Sequence, residues 1–281
     1  MWTIFRYGLR RSRGQILGWG LVLAILGGWI ISLYPTILSM REEYRELLKA
    51  YPPEMLAFFG GVTDLTDPVS YLDFVFFSYM PIIVAIYAIL AGSGLLVADE
   101  ESGVLDLILA HPISRTRLYL GRLLALGASL LGILALTWLG FVVPLPASGL
   151  GVGAGAMALP FVSLFAVLLL FGALALCLSM LLPSRGAAAS VAGLVLVASF
   201  IASSLSYLNP DLQAMERVLP LHYYQSAAAV NGLDWGKLGI LLGAAAFFAL
   251  LGWALFARRD IRVGGEAGWR LPGGRRSRAE G

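Results

Sequence analysis

Long apolar blocks separated by short polar segments dominate the chain. The blocks run over about Gln15–Leu38, Tyr71–Ala98, Leu118–Val143, Met157–Leu182, Ala187–Leu208 and Lys237–Ala257. Each supplies the ~20 residues a helix needs to cross a hydrocarbon core of ~30 Å. The two-residue alternation of a membrane-barrel strand is missing. The pattern predicts an all-α integral membrane protein with six transmembrane helices. The fourth and fifth blocks are joined only by "PSRG" (Pro183–Gly186), which predicts a tight antiparallel hairpin.

Shorter segments carry a helical period of their own. In "WTIFRYGLRRSR", residues 2–13, Trp2, Ile4, Phe5 and Leu9 share one arc with Gly8, and Arg6, Arg10, Arg11 and Arg13 share the other. Aromatic residues on one face and arginines opposite predict an elbow helix lying in the membrane interface. After the first block, Met40, Tyr44, Leu47, Leu48 and Tyr51 recur at helical spacing until Pro52 and Pro53. This predicts a short amphipathic surface helix. Between the second and third blocks, Val104, Leu105, Leu107, Ile108 and Leu109 form an apolar face, opposite Asp99, Ser102, Gly103 and Asp106. That predicts one amphipathic helix from Asp99 to Ala110, with Asp99, Glu100 and Glu101 at its positive N-terminal end. His111 before Pro112 disfavours further helix, and Ser114 is placed to cap the next one.

Composition agrees with a membrane protein. Hydrophobic residues make up 59% of the 281 and charged residues 13%, against roughly 25% charged in soluble domains. No charged block is long enough for a soluble domain, so the expected organisation is one transmembrane domain over residues 1–260 and a basic tail over 261–281. Charge distribution sets the expected orientation. Of the 20 lysines and arginines, fifteen fall on the side that holds both termini and the segment between the second and third blocks. By the positive-inside rule, that side is cytoplasmic. The N-terminal run is longer than a signal-peptide core and leads to no A-x-A-like site, so it is read as a retained span.

Candidate chemistry is sparse. Cys177 is the single cysteine and no Cys/His cluster suggests a metal. His111 and His222 fall in loops expected on opposite sides, so they cannot share one. There is no H-E-x-x-H and no G-x-S-x-G. "GLDWGK" (Gly232–Lys237) is one residue short of P-loop spacing and is followed by leucine instead of Ser or Thr. No catalytic residue, bound cofactor or nucleic-acid partner is expected. The block interiors hold no charge, whereas ion-coupled carriers commonly bury an ionisable residue there. Energy for transport would then come from another subunit, and residues 99–122 offer the handle.

In that stretch, "EESGVLDLILAHPISRTRLYLGR" resembles the cytoplasmic motif of ABC-2 type exporter permeases, E-x-G-T-L-x-x-L-L-x-x-P-[IV]-S-R. Glu101, Gly103, Leu105, Ile108, Leu109, Pro112, Ile113, Ser114 and Arg115 match it, and Val104 stands where threonine is usual. The resemblance extends to the basic N-terminal elbow and the six-span layout. It implies a coupling helix between spans 2 and 3, made of Glu100, Glu101, Gly103, Val104, Leu105, Ile108, Leu109, Pro112, Ser114 and Arg115. It implies a pair of permease copies with two cytoplasmic ATPase subunits that hold the ATP and magnesium, in a prokaryotic cytoplasmic membrane. The elbow residues Trp2, Phe5, Arg6, Leu9, Arg10 and Arg13 would meet membrane lipid. Lipophilic or amphipathic cargo suits uncharged spans. A permease for multicopper-enzyme maturation shares the motif, and a membrane scaffold or intramembrane enzyme without an ATPase partner is the alternative of another class.

Overall fold

The computed structural model describes residues 1–52, 55–56, 64–105, 113–206 and 216–258. Six of its helices are long and apolar enough to cross a membrane: Trp2–Ser39, Pro68–Ser93, Arg115–Val142, Ala154–Leu181, Arg185–Ser206 and Trp235–Arg258. Their ends fall within a few residues of the apolar blocks, except at two places. The first helix, α1 (Trp2–Ser39), is continuous, so the expected elbow is its first three turns and not a separate surface helix. The second span stops at Ser93, not Ala98, because the chain turns at Gly94 before resuming as a helix at Val97.

The remaining elements follow in order. α2 (Arg41–Ala50) is the amphipathic surface helix, with Leu48 buried and Leu47 exposed. Span 2 comprises α3 (Pro68–Leu72), a π-helical turn over Asp73–Phe77, and α4 (Met80–Ser93). Asp67 caps α3 by accepting the Ser70 N–H at 2.8 Å, and Pro68 occupies the first helical position, where no N–H is needed. α5 (Val97–Glu101) follows, then span 3 as α6 (Arg115–Val142), short α7 (Leu145–Ser148), span 4 as α8 (Ala154–Leu181), span 5 as α9 (Arg185–Ser206) and span 6 as α10 (Trp235–Arg258).

Span 4 is the central helix: 78% of its apolar window is buried, against 22% for span 6, and it packs on α4, α6, α9 and α10. At one end of the bundle the core is aromatic. Phe76, Phe77, Phe141 and Phe161 meet edge to face, with Phe76–Phe141 centroids 4.7 Å apart and Phe77–Phe161 centroids 5.2 Å apart. Such geometry sets the positive ring edge against the negative face.

The most extensive helix pairing is between α1 and α6. They run parallel in one register: Ile4 lies against Gly121, Gly8 against Ala125, Gly20 against Leu136, Ala24 against Gly140 and Gly27 against Phe141. A Cβ at Gly140 would overlap the backbone of Ala24. Small residues along a seam let helix backbones approach where lipid offers no hydrophobic drive to associate. The same principle joins spans 2 and 4, where Gly92 faces the carbonyl of Gly172.

Candidate functional site

The junction between spans 2 and 3 is where the sequence leads one to expect a handle. α5 is a short helix whose first turn is acidic. The side chain of Asp99 is 8% exposed and accepts from two arginines of other helices. Arg122 of α6 pairs with its Oδ2 through Nη2, and Arg11 of α1 donates to its Oδ1 at 3.2 Å. The Nη1 of Arg122 donates to the carbonyl oxygen of Leu95 at 2.6 Å, closing the turn between α4 and α5. One carboxylate thus ties spans 1 and 3 to the segment that links spans 2 and 3. The arrangement gives a buried arginine both a counter-charge and hydrogen bonds, as burial of charge requires.

Glu101 makes a second cross-tie. It accepts from the Arg185 backbone N–H at 3.2 Å and meets Arg185 Nε at 3.2 Å. The carboxylate therefore stands at the N-terminal end of α9, where the helix dipole favours negative charge. Arg115 opens α6 beside span 6: its Nη1 donates to the Phe256 carbonyl at 3.3 Å, and its guanidinium sits 6.0 Å from the Phe256 ring centroid. Ser114 caps α6 as expected, accepting the Arg117 N–H at 3.3 Å.

The structure corrects the single helix from Asp99 to Ala110. α5 ends at Glu101, and Gly103 has φ of +69°, a left-handed conformation that a side chain disfavours. The chain therefore bends at Ser102–Gly103, and a new helical turn starts at Val104. The bend changes which side chains face outward. Leu105 does not belong to an exposed face: it is 1% exposed and packs with Leu96, Val97, Leu118, Tyr119, Met180 and Phe256. Val104 is the exposed neighbour. Glu100 is buried, and Glu101 is the acid that remains exposed. Ile108, Leu109 and Pro112 lie outside the described residues.

At the N-terminus, Arg6, Arg10 and Arg13 are exposed and Leu9 is half-buried. Trp2 stacks on Phe5 with centroids 5.2 Å apart. These two side chains help to line an apolar hollow of about 740 Å³ between α1, α6, α8 and α10. The other face of the same turns packs on α6, with Ile4 against Gly121. Sequence reasoning placed Asp99 and Arg11 on separate helices and did not bring them together. Asp99 and Arg11 are 88 residues apart, and no local spacing joins them.

Among the described residues, no group of three or more His, Cys, Asp or Glu side chains could hold a metal ion. Cys177 is buried in the core. A bundle of six helices long and apolar enough to span a membrane, cross-tied by arginines at one end, defines a multi-pass membrane protein. Residues 2–261 match the family described as "ABC-2 family transporter protein", and the chain belongs to that family, as a permease of an ABC transporter. No curated protein matches the chain.

Proposed function

We propose that this permease is the membrane half of an ATP-driven exporter. It works as a pair of copies with two cytoplasmic ATPase subunits and carries a lipophilic or amphipathic substrate outward. Both termini and α5 face the cytoplasm, where the arginine excess directs them. The observation that supports the reading best is the junction itself. The segment joining spans 2 and 3 is bound by Asp99 to spans 1 and 3 and by Glu101 to span 5. A displacement imposed there is delivered to four spans at once.

The partner meets the exposed part of this junction, which includes Glu101, Ser102 and Val104. Leu105 serves as the internal anchor. Val104→Asp combined with Leu109→Asp is expected to release the ATPase subunit in a pull-down from detergent extracts at matched permease levels. Leu47→Asp, on the surface helix at the opposite end, is expected to retain it. Purified permease alone is expected to hydrolyse no ATP, with hydrolysis appearing only in the complex. Full retention of the partner by the double variant, or hydrolysis by the isolated chain, overturns the reading.

A further inference from the structure

Beside the junction lies a cavity of about 330 Å³ between spans 1, 2, 3 and 5. Arg11, Arg122 and Arg185 line it, and no aspartate or glutamate does among the described residues. Asp99 and Glu101 hold these arginines without lining the cavity themselves. Their hold is partial. Arg11 and Arg185 keep side chains 60% and 57% exposed, and Arg185 Nη1 stands 3.9 Å from where a Cβ on the cavity-lining Gly94 would be. Tyr87, Ser12 and Ser129 also line the space, and the Ser129 hydroxyl donates to the Ala125 carbonyl at 2.7 Å. The wall carries Ile4 and Leu95 as well, and Leu90, a span 2 side chain that is 60% exposed.

We infer that this cavity binds a phosphate mono- or diester presented by an amphiphile, with the phosphate on the arginines and the chains leaving past Leu90 into hydrocarbon. Guanidinium forks match phosphate oxygens two at a time and are weakly hydrated, which suits a partly apolar setting. Hydroxyl groups at the floor supply neutral donors to the remaining oxygens. An exposed leucine of a span in the wall suits the chains of a lipid and offers nothing to a soluble ion. The inference stands on the permease alone and does not depend on an ATPase partner.

The test uses the purified full chain in detergent micelles, with bound lipid counted by native mass spectrometry. Phosphatidic acid is expected to be retained in preference to phosphatidylcholine. The Arg11→Gln/Arg185→Gln variant is expected to lower that occupancy at least about tenfold, the effect of losing even one of its charge-assisted hydrogen bonds. Arg41→Gln/Lys49→Gln removes equal charge from the exposed surface of α2, outside the cavity, and is expected to change occupancy little. Millimolar glycerol 3-phosphate separates the two sources: displacement assigns the site to phosphate as such, and persistence assigns it to phosphate carried on acyl chains. Equal loss in both double variants, or equal retention of the two lipids by the unaltered chain, overturns the proposal. Should the cavity variant fail to fold, the lipid comparison and the single Arg185→Gln, at an exposed position, still decide it.

Discussion

The two ends of the bundle are closed by different chemistry. At the arginine-rich end, guanidinium groups reach between helices: Arg11 and Arg122 to Asp99, Arg185 to Glu101, and Arg115 to the Phe256 carbonyl. At the opposite end, span side chains accept loop N–H groups. Asp73 accepts from Ala227 at 2.8 Å, Ser163 from Gln225 at 2.8 Å and Ser199 from Leu221 at 3.0 Å. Ion pairs there lie within α2, as Lys49–Glu46 does, or tie it to the loop that follows, as Arg45–Asp64 does, and among the described residues none joins two spans. Charge at one end binds spans to one another, while neutral donors at the other seat loops on spans.

The largest test removes the shared carboxylate. Asp99→Ala leaves Arg122 buried without a counter-charge, which costs about 3–5 kcal/mol when one partner of a buried pair is lost. A marked fall in thermal stability in detergent is expected, and Arg122→Leu in the same chain is expected to restore part of it. If the double variant is no better than the single, the tie is not a pair and the contrast between the ends fails. Next comes the loop seat. Asp73→Ala strands the buried N–H of Ala227, a loss of about 1–3 kcal/mol, and Asp73→Asn, which keeps an acceptor, is expected to lose about half. Hydrogen exchange at Ala227 reads both.

The smallest effect is one of acidity at the loop end. The Thr66 hydroxyl and backbone N–H, helped by Arg45, hold the Asp64 carboxyl down at about 2, from an ordinary 3.8. A depressed carboxylate stabilises the fold above its unfolded pKa and loses that contribution as pH falls through the folded value. Exchange protection at Thr66 is therefore expected to be flat from neutral pH to about 5 and to vanish on approach to about 2. Thr66→Val is expected to start that loss at higher pH, nearer 3.8. An unchanged profile in the variant would show that Thr66 does not hold the charge.

The spans were legible because membrane crossing imposes a length and an apolarity that single residues cannot disguise. Ser114 was legible as a cap for the same local reason. Much of the junction was not. The face drawn through Val104, Leu105 and Leu109 assumed an unbroken helix, and the turn signal in Ser102–Gly103 was outweighed by that periodicity. Leu105 then went inward because the bend aims it at Tyr119 and Phe256. The N-terminal pattern was real in its exposed arginines, but Gly8 on the apolar arc marks the contact with Ala125 that carries the helix along span 3. Asp99 with Arg122 and Arg11 depends on three helices meeting, which no periodicity within one of them encodes.

α1 has 38 residues, or about 57 Å of helix at 1.5 Å per residue, nearly twice the ~30 Å of hydrocarbon it crosses. Its registered contacts with span 3 run from Ile4 to Gly28 without a break in direction. The two helices form a stiff lever: a tilt given to the end that carries Arg11 reappears at the far end, beside Phe141, with no slack along the shaft. Bending must then occur at joints elsewhere, and the left-handed turn at Gly103 is one such joint.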